Sequence, residues 1–299
     1  MKREVPSPLP NRGSAESLWD AWYDLAVQRR DQEAVSLQEI GLGNAPVAIK
    51  ADTMKEDNHL DTDSLERIIP DELAEFGATG RETLTLHLAR YAFAARHLRG
   101  NTVLDIACGV GYGTRFLIDE NPRIQCIHGV DLSPTTIAYA REHYAHPRAE
   151  YFCERAQTFR GNGLYDNVVS LETIEHVPDP AALFQDLARL VRAGGVLVTS
   201  VPTTPSTDGN PHHLTDFTEG SFRRLGSGVR LREIDCLRQV QRFDPAAVAL
   251  GKEKRLARSR AQLVNFYIRH PHKLALRLWA TARYGFENRY LTIAWEKPL

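Results

Sequence analysis

The sequence has few cysteines, no long apolar run and almost no net charge, and each absence narrows its class. Its four cysteines are scattered without a CxxC pair, which argues against a structural zinc site and predicts a reducing compartment. No apolar run is long enough to span a bilayer, and the polar, proline-containing start does not resemble a signal peptide. A formal charge of −1 provides no overall field that would favour nucleic acid. We therefore expect a cytoplasmic protein.

Strand and helix patterns alternate through the middle of the chain. Apolar residues recur at helical spacing over 82–98, and Gly100 follows them. The strands are predicted at 103–107, 124–130, 149–153, 165–171, 196–201, 230–241 and 290–296, and the helices that follow the first one at 114–120, 134–143 and 179–192. This order predicts an α/β fold, with a seven-stranded, mostly parallel, Rossmann-like sheet covered by helices on both faces.

The chain divides into four predicted segments. Residues 1–80 are expected to form an N-terminal arm and a helical extension or lid, in which 17–30 have the pattern of an amphipathic helix. Residues 81–244 form the core, 245–285 a basic helical insert, and 286–299 the closing strand of the core. The insert carries nine Lys or Arg residues between 252 and 283 against one acid, Glu253.

A glycine-rich corner follows the first predicted strand. Gly109, Gly111 and Gly113 stand at alternate positions directly before a helix, so the backbone can approach a ligand and the helix start can donate free N–H groups. Asp105 precedes them by four residues. Asp131 lies twenty residues beyond Gly111, where a carboxylate accepts hydrogen bonds from a ribose diol and repels a 2′-phosphate. The corner therefore predicts a nucleoside-binding site.

Four stretches of the core carry motifs that occur together in one enzyme family. They are residues 103–113, 129–133, 165–177 and the sequence LVRAGGVLVTSVP at 190–202. Together they resemble the class I S-adenosylmethionine-dependent methyltransferases, and within that family the ubiquinone-type and sugar O-methyltransferases. Two positions depart from the family pattern. Ala193 stands where a proline usually precedes the two glycines, and Arg155 stands where many members have an aspartate near the adenine.

The resemblance implies a binding site for S-adenosylmethionine. The glycine turn and Asp105 would hold the methionine part, Asp131 would hold the ribose, and Arg155 would flank the adenine. On the upstream helix, Arg90 would pair with the cofactor's carboxylate, with a solvated helix face as the alternative. The implied cofactor set is Asp105, Ala107, Cys108, Gly109, Gly111, Asp131, Leu132, Arg155, Ala156, Leu171 and Arg90.

A second motif, Glu172-x-x-Glu175-His176, directly follows the fourth predicted strand, beside the expected methyl position. A hydroxyl acceptor needs a base or a metal to remove its proton, and a histidine, with an ordinary pKa of ~6.5, suits the role of base. The motif also resembles the metal site of small-RNA 2′-O-methyltransferases, with His213 in the matching distal position. The candidate catalytic set is Glu172, Glu175 and His176. The candidate metal set adds His213, with Mn²⁺, Fe²⁺, Co²⁺ or Zn²⁺ better suited to these ligands than Mg²⁺. A base without metal and a purely structural role are the alternatives.

Several functions remain open at this point. O-methylation of a small molecule, such as a sugar or natural-product intermediate, is favoured by the near-neutral charge. The metal-like motif and the basic insert suggest 2′-O-methylation of RNA instead, and a non-catalytic methyltransferase-like binding subunit is a third alternative. The basic segment at 252–283 would contact RNA or anionic lipid, or would be a solvated face packed on the body or on the partner of a homodimer.

Overall fold

The computed structural model describes residues 77–161, 163–242 and 260–299. The predicted N-terminal arm, the amphipathic helix at 17–30 and the first part of the basic insert lie outside the described residues. The predicted segment boundaries remain predictions.

Seven strands and seven helices account for the regular structure of the described residues. The strands are β1 Thr102–Ile106, β2 Cys126–Asp131, β3 Ala149–Cys153, β4 Tyr165–Leu171, β5 Val191–Pro202, β6 Arg232–Arg242 and β7 Glu287–Glu296. The helices are α1 Gly77–His97, α2 Tyr112–Glu120, α3 Pro134–His143, α4 Pro180–Leu190, α5 Glu219–Gly228, α6 Arg260–Arg269 and α7 Pro271–Tyr284. A single 3₁₀ turn, Ile174–His176, follows β4.

The seven strands form one sheet in the order β3-β2-β1-β4-β5-β7-β6. The first five strands run parallel, and β7 lies antiparallel between β5 and β6. The predicted Rossmann-like sheet of seven mostly parallel strands is confirmed. Because β1 lies between β2 and β4, the carboxyl ends of these three strands meet at one edge of the sheet, where ligands bind in open α/β folds.

The core lies against both faces of the central strands. β4 is buried along its whole length, as expected for a parallel strand covered on both sides. On one face, the rings of Phe184 and Phe222 stand nearly perpendicular to that of Trp295, with centroid distances of 5.8 and 6.0 Å. The indole Nε1 of Trp295 donates to Thr199 at 3.0 Å. This cluster joins α4 and α5 to β5 and β7.

The paired glycines at 194–195 predict a turn between the helix at 179–192 and the strand at 196–201, and the structure corrects this prediction. These residues lie within β5, and the predicted helix at 179–192 ends at Leu190. The pairing of β4 with β5 shifts between Tyr165 and Asn167, so this part of β5 is an irregular stretch of strand. Gly194 has a φ of +75°, and its N–H donates to the Lys297 carbonyl. Hydrogen bonding along this edge of β5 therefore continues through the glycine.

Helix α5 is a further difference, because no helix is predicted at 219–228. Phe222 and Leu225 are nevertheless spaced for one face of a short helix, and Phe222 is buried in the core. The start of the helix is well defined. The Thr218 side chain accepts from the Ser221 N–H at 3.1 Å, and the Ser221 hydroxyl accepts from the Thr218 N–H at 2.9 Å. This reciprocal capping box satisfies two backbone donors at the helix start.

Two glycines of α5 provide a test of the packing against β7. A Cβ at Gly226 would lie 2.3–2.7 Å from the buried Trp295 ring, whereas a Cβ at Gly228 meets nothing within 4 Å. We expect Gly226→Ala to lower the free energy of unfolding by about 1–3 kcal/mol because the core is overpacked. Gly228→Ala, the matched control, should be neutral or stabilising by up to about 1 kcal/mol. Urea denaturation of both variants measures the difference, and equal stabilities would contradict the packing described.

Candidate active site

The glycine corner after β1 is a left-handed turn with one open side. Ala107, Gly109 and Gly111 have φ angles of +59°, +57° and +93°. A Cβ at Gly111 would lie 2.9 Å from the Cβ of Ala140, so this position is closed by α3. A Cβ at Gly109 would meet nothing within 4 Å. The turn therefore presents bare backbone to open space, as a close approach by a ligand requires.

Asp131, at the end of β2, lies beside this open side. Its Oδ2 accepts from the Gly109 N–H at 3.2 Å and its Oδ1 from the Ser133 N–H at 2.9 Å. The carboxylate is partly exposed, and the next side chain, Leu132, is 57% exposed. A fixed carboxylate next to an exposed apolar side chain has the chemistry that a ribose diol and an adenine ring require.

Asp105 is buried beneath the turn rather than open to it, with only 1% of its surface exposed. Its Oδ2 accepts from the Thr114 hydroxyl at 2.7 Å, and its carboxylate is 3.3–3.4 Å from the Tyr91 hydroxyl. Burial raises the pKa of Asp105 to about 7, against the lowering effect of these two hydrogen bonds. The residue thus ties α1 and α2 to the turn, and its predicted contact with the methionine part remains a prediction.

The other predicted cofactor residues lie around the same strand ends. The Cys108 N–H donates to the Val130 carbonyl at 3.1 Å, and burial raises the pKa of its thiol. Arg155 is exposed, and its carbonyl accepts from the Phe159 N–H. Ala156 is half-buried in the turn that follows β3. Leu171 is buried at the end of β4. These positions surround the turn but do not by themselves define a ligand.

The buried Arg90 forms an ion pair with the partly exposed Glu172. Arg90 is 1% exposed and its Nη1 lies 3.5 Å from Glu172 Oε1, while its Nε donates to Gln239 at 2.8 Å. The guanidinium lies 4.3 Å from the centre of the Tyr290 ring. Glu172 Oε1 also accepts from the Ser200 hydroxyl at 2.7 Å. The alternative of a solvated helix face for Arg90 is therefore wrong, and its guanidinium pairs with a carboxylate at the end of β4. Its pairing with the carboxylate of the cofactor stays a prediction.

Three of the four candidate metal ligands lie together. One ligand atom each from Glu175, His176 and His213 lies within 4.8 Å of the others. The two imidazole rings are 4.6 Å apart and nearly perpendicular, and the Glu175 side chain is fully buried. Glu172 is not a member of this cluster, because its carboxylate is bound to Ser200 and paired with Arg90.

The loop at 203–217 brings His213 to the cluster. The N–H groups of Leu214 and Thr215 both donate to the Glu175 carbonyl, at 2.8 and 3.2 Å. The His212 carbonyl lies 3.2 Å from His176 Nδ1. If Nδ1 carries the proton of that bond, Nε2 carries the lone pair that a base or a metal ligand uses. The loop therefore sets both the position and the tautomer of the candidate base.

Sequence reasoning missed the residues that hold these groups in place. Ser200, Gln239 and Tyr290 come from β5, β6 and β7, which are distant in sequence from the Glu172 motif. The available signal was polar residues inside strands that are otherwise apolar, since Ser200 is fully buried at the end of β5. A buried polar side chain needs a partner, which here is a site residue.

Comparisons with known proteins define the class. The sequence matches the methyltransferase domain family over residues 78–291, so the chain belongs to this family. A Mycolicibacterium smegmatis protein named a probable S-adenosylmethionine-dependent methyltransferase is 30% identical over 146 residues, which are 46% of this chain and 55% of that protein. The ubiquinone biosynthesis O-methyltransferase of Paraburkholderia xenovorans is 35% identical over 106 residues, or 34% and 44% of the two chains.

Solved structures show the same fold. A Bacillus halodurans protein superimposes with a TM-score of 0.55 at 18% identity, covering 71% of this chain and 99% of that one. The YcgJ protein of Bacillus subtilis gives 0.54 at 13% identity, covering 71% and 100%. The chain spans about half or less of the curated relatives named above. The family predicted from the motifs, the class I S-adenosylmethionine-dependent methyltransferases, is confirmed, and the individual residue roles stay predictions.

Asp105 should make stability depend on pH. Burial raises its pKa from 3.8 to about 7, so between about pH 4 and 7 the folded protein retains a proton that the unfolded chain has released. The free energy of unfolding therefore falls as pH rises through this window, with a limiting slope of about 1.4 kcal/mol per pH unit, and is flat above it. Urea denaturation of Asp105→Asn should lack this component. Identical pH slopes for the variant and the wild type would contradict the buried position of the carboxyl.

Proposed function

We propose that the protein transfers a methyl group from S-adenosylmethionine to a hydroxyl oxygen of a small molecule. The observation that carries this proposal is the position of the Glu175–His176–His213 cluster. It follows β4, the strand next to β1 and its open glycine turn. An amine acceptor needs no base, whereas a hydroxyl does, so a base-bearing cluster beside the donor turn favours oxygen as the acceptor.

The residues of the turn and of β2 fit the cofactor. The space over Gly109 accepts a ligand close to the backbone, and Asp131 offers a carboxylate for two ribose hydroxyls. When bound, S-adenosylmethionine supplies a methyl group activated by a positive sulfur. The protein then has to align the acceptor in line with that methyl and exclude water from it.

His176 is the proposed base. As the acceptor oxygen forms its bond to the methyl carbon, the carbon–sulfur bond breaks, and the hydroxyl proton passes to Nε2 of His176. The bond between Nδ1 and the His212 carbonyl orients the ring and stabilises the imidazolium. Glu175 is buried beside it, with a carboxylate oxygen within 4.8 Å of a nitrogen of the ring. Glu172 is assigned a positioning role, because Arg90 and Ser200 hold its carboxylate.

A divalent cation at the same cluster is a second candidate, favoured by the ligand atoms within 4.8 Å of one another. One carboxylate and two imidazoles suit Mn²⁺, Fe²⁺, Co²⁺ or Zn²⁺ better than Mg²⁺. Bound there, a cation would lower the pKa of an acceptor hydroxyl. Glu175, His176 and His213 would hold it.

Asp131→Ala tests the donor site. The variant should bind S-adenosylhomocysteine at least roughly tenfold more weakly, because it loses a charged hydrogen-bond acceptor that also fixes the Gly109 N–H. Asp186→Ala is the matched control, since that carboxylate lies on α4 and pairs with Arg189. Titration calorimetry measures both. Unchanged affinity in Asp131→Ala would remove the proposed donor pocket.

Variants of the adjacent residues His212 and His213 distinguish a base alone from a metal site. His212 contributes its backbone carbonyl to the site, whereas the side chain of His213 belongs to the cluster. For a base alone, turnover of a methyl-labelled donor with small-molecule extract should survive a strong chelator, and His176→Ala should lower it by about 10²–10⁴. For a metal site, elemental analysis should find a cation that His213→Ala loses and His212→Ala keeps. Label that enters RNA, protein or an amine instead would contradict the proposed acceptor.

A further inference from the structure

Helix α7 directs two of its charged side chains, Lys273 and Arg277, toward the body of the protein. Lys273 and Arg277 share the inner stripe of the helix with the buried Ala280. Arg277 pairs with both carboxylate oxygens of Asp208, a residue only 2% exposed, and Lys273 pairs with Asp216. On the preceding helix, the Tyr267 hydroxyl donates to Asp208 at 2.6 Å. These contacts fix α6 and α7 to the loop at 203–217.

The outward side of the same two helices is apolar. On α7, Leu278 is 61% exposed and Trp279 58% exposed, and on α6, Ile268 is 73% exposed. We call this set the outer apolar face: Val264, Ile268, Leu274, Leu276, Leu278, Trp279 and Phe286, all exposed. An ordinary surface helix has the opposite arrangement, with its apolar stripe on the core and its charges in water. Exposed apolar patches of this kind mark interaction sites, so the outer apolar face is a candidate docking surface.

The surroundings of this face carry charge of one sign. No Asp or Glu occurs from 254 to 286, whereas Arg269 and Arg283 are exposed on the two helices. The exposed His270 lies between α6 and α7, and the exposed His272 lies in the first turn of α7. Exposed apolar side chains that include a tryptophan, on two helices whose charged residues are all basic, form the pattern of a helix that lies in a membrane interface.

We propose that α6 and α7 dock on the surface of an anionic lipid bilayer through the outer apolar face. A second copy of this chain is a poor match for the outer apolar face, because a two-fold contact would bring two basic surfaces without acidic residues together. RNA fits the aliphatic side chains poorly, because bases stack on aromatic rings and phosphates need cations. Two of the basic residues that could serve RNA, Lys273 and Arg277, are already paired inward.

The helices would lie on the bilayer rather than cross it. Among the described residues, no helix is long and apolar enough to span a membrane. The proposed contact combines shallow insertion of leucine, isoleucine and tryptophan side chains with attraction of the arginines to anionic headgroups. Binding should therefore require anionic lipid and weaken as salt is added.

Co-sedimentation of the full chain with lipid vesicles tests the proposal. We expect binding to vesicles of phosphatidylcholine mixed with phosphatidylglycerol to be at least roughly tenfold tighter than binding to phosphatidylcholine alone. The double variant Leu278→Asp, Trp279→Asp should lose this binding. Leu164→Asp is the matched control, since Leu164 is 55% exposed before β4, outside this face. Thermal unfolding verifies that both variants are folded.

Three results would overturn the proposal. The first is equal binding of the wild type to the two kinds of vesicle, and the second is unchanged binding by the folded double variant. The third is another occupant: a dimer in sedimentation velocity that the double variant dissociates, or an RNA oligonucleotide that displaces the vesicles. A further variant, Arg269→Gln with Arg283→Gln, should reduce the preference for anionic lipid while leaving the apolar side chains in place.

Discussion

The proposed donor side of the site depends on one buried carboxylate. Asp105 accepts from Thr114 on α2 and contacts the hydroxyl of Tyr91 on α1, so two helices and the end of β1 are fixed by a single side chain. The Tyr91 ring occupies the space that a side chain at residue 113 would need, which is why Gly113 is a glycine. The backbone that faces the ligand can be open because this support lies behind it.

The proposed acceptor side depends on a different kind of support, which comes from distant parts of the chain. Asp216 accepts from the N–H groups of Ser206 and Thr207 and so closes the loop on itself. The same loop donates two backbone hydrogen bonds to the Glu175 carbonyl and is tied to α7 through Asp208. His213 therefore reaches His176 through the conformation of a loop that the basic insert holds in place.

The parts of this structure that could be predicted from sequence are the local ones. The alternation of strands and helices, the glycine turn and Asp131 follow from spacing within a few dozen residues, and the structure agrees with them. The placement of β7, the pairing of Arg90 with Glu172 and the separation of Glu172 from the metal-like cluster depend on contacts between residues that lie from 28 to 200 positions apart. Local periodicity in the sequence does not predict those contacts. Paired glycines are typical of turns, so the sequence predicts a turn at 193–195. In the structure these residues belong to β5, whose pairing with β4 shifts in register there.

The position of β7 has a consequence for the order in which the protein can fold. Since β7 lies between β5 and β6, the earlier strand β6 has no neighbour in the sheet until the segment at 287–296 has been synthesised. Until then the edge of β5 and the apolar partners of Trp295 are exposed, and β6 has no strand with which to form hydrogen bonds. The five parallel strands can assemble first, but the acceptor side gains Tyr290 only at the end. A nascent chain therefore passes through a stage with an unprotected sheet edge, at which pairing with another chain competes with completion of the fold.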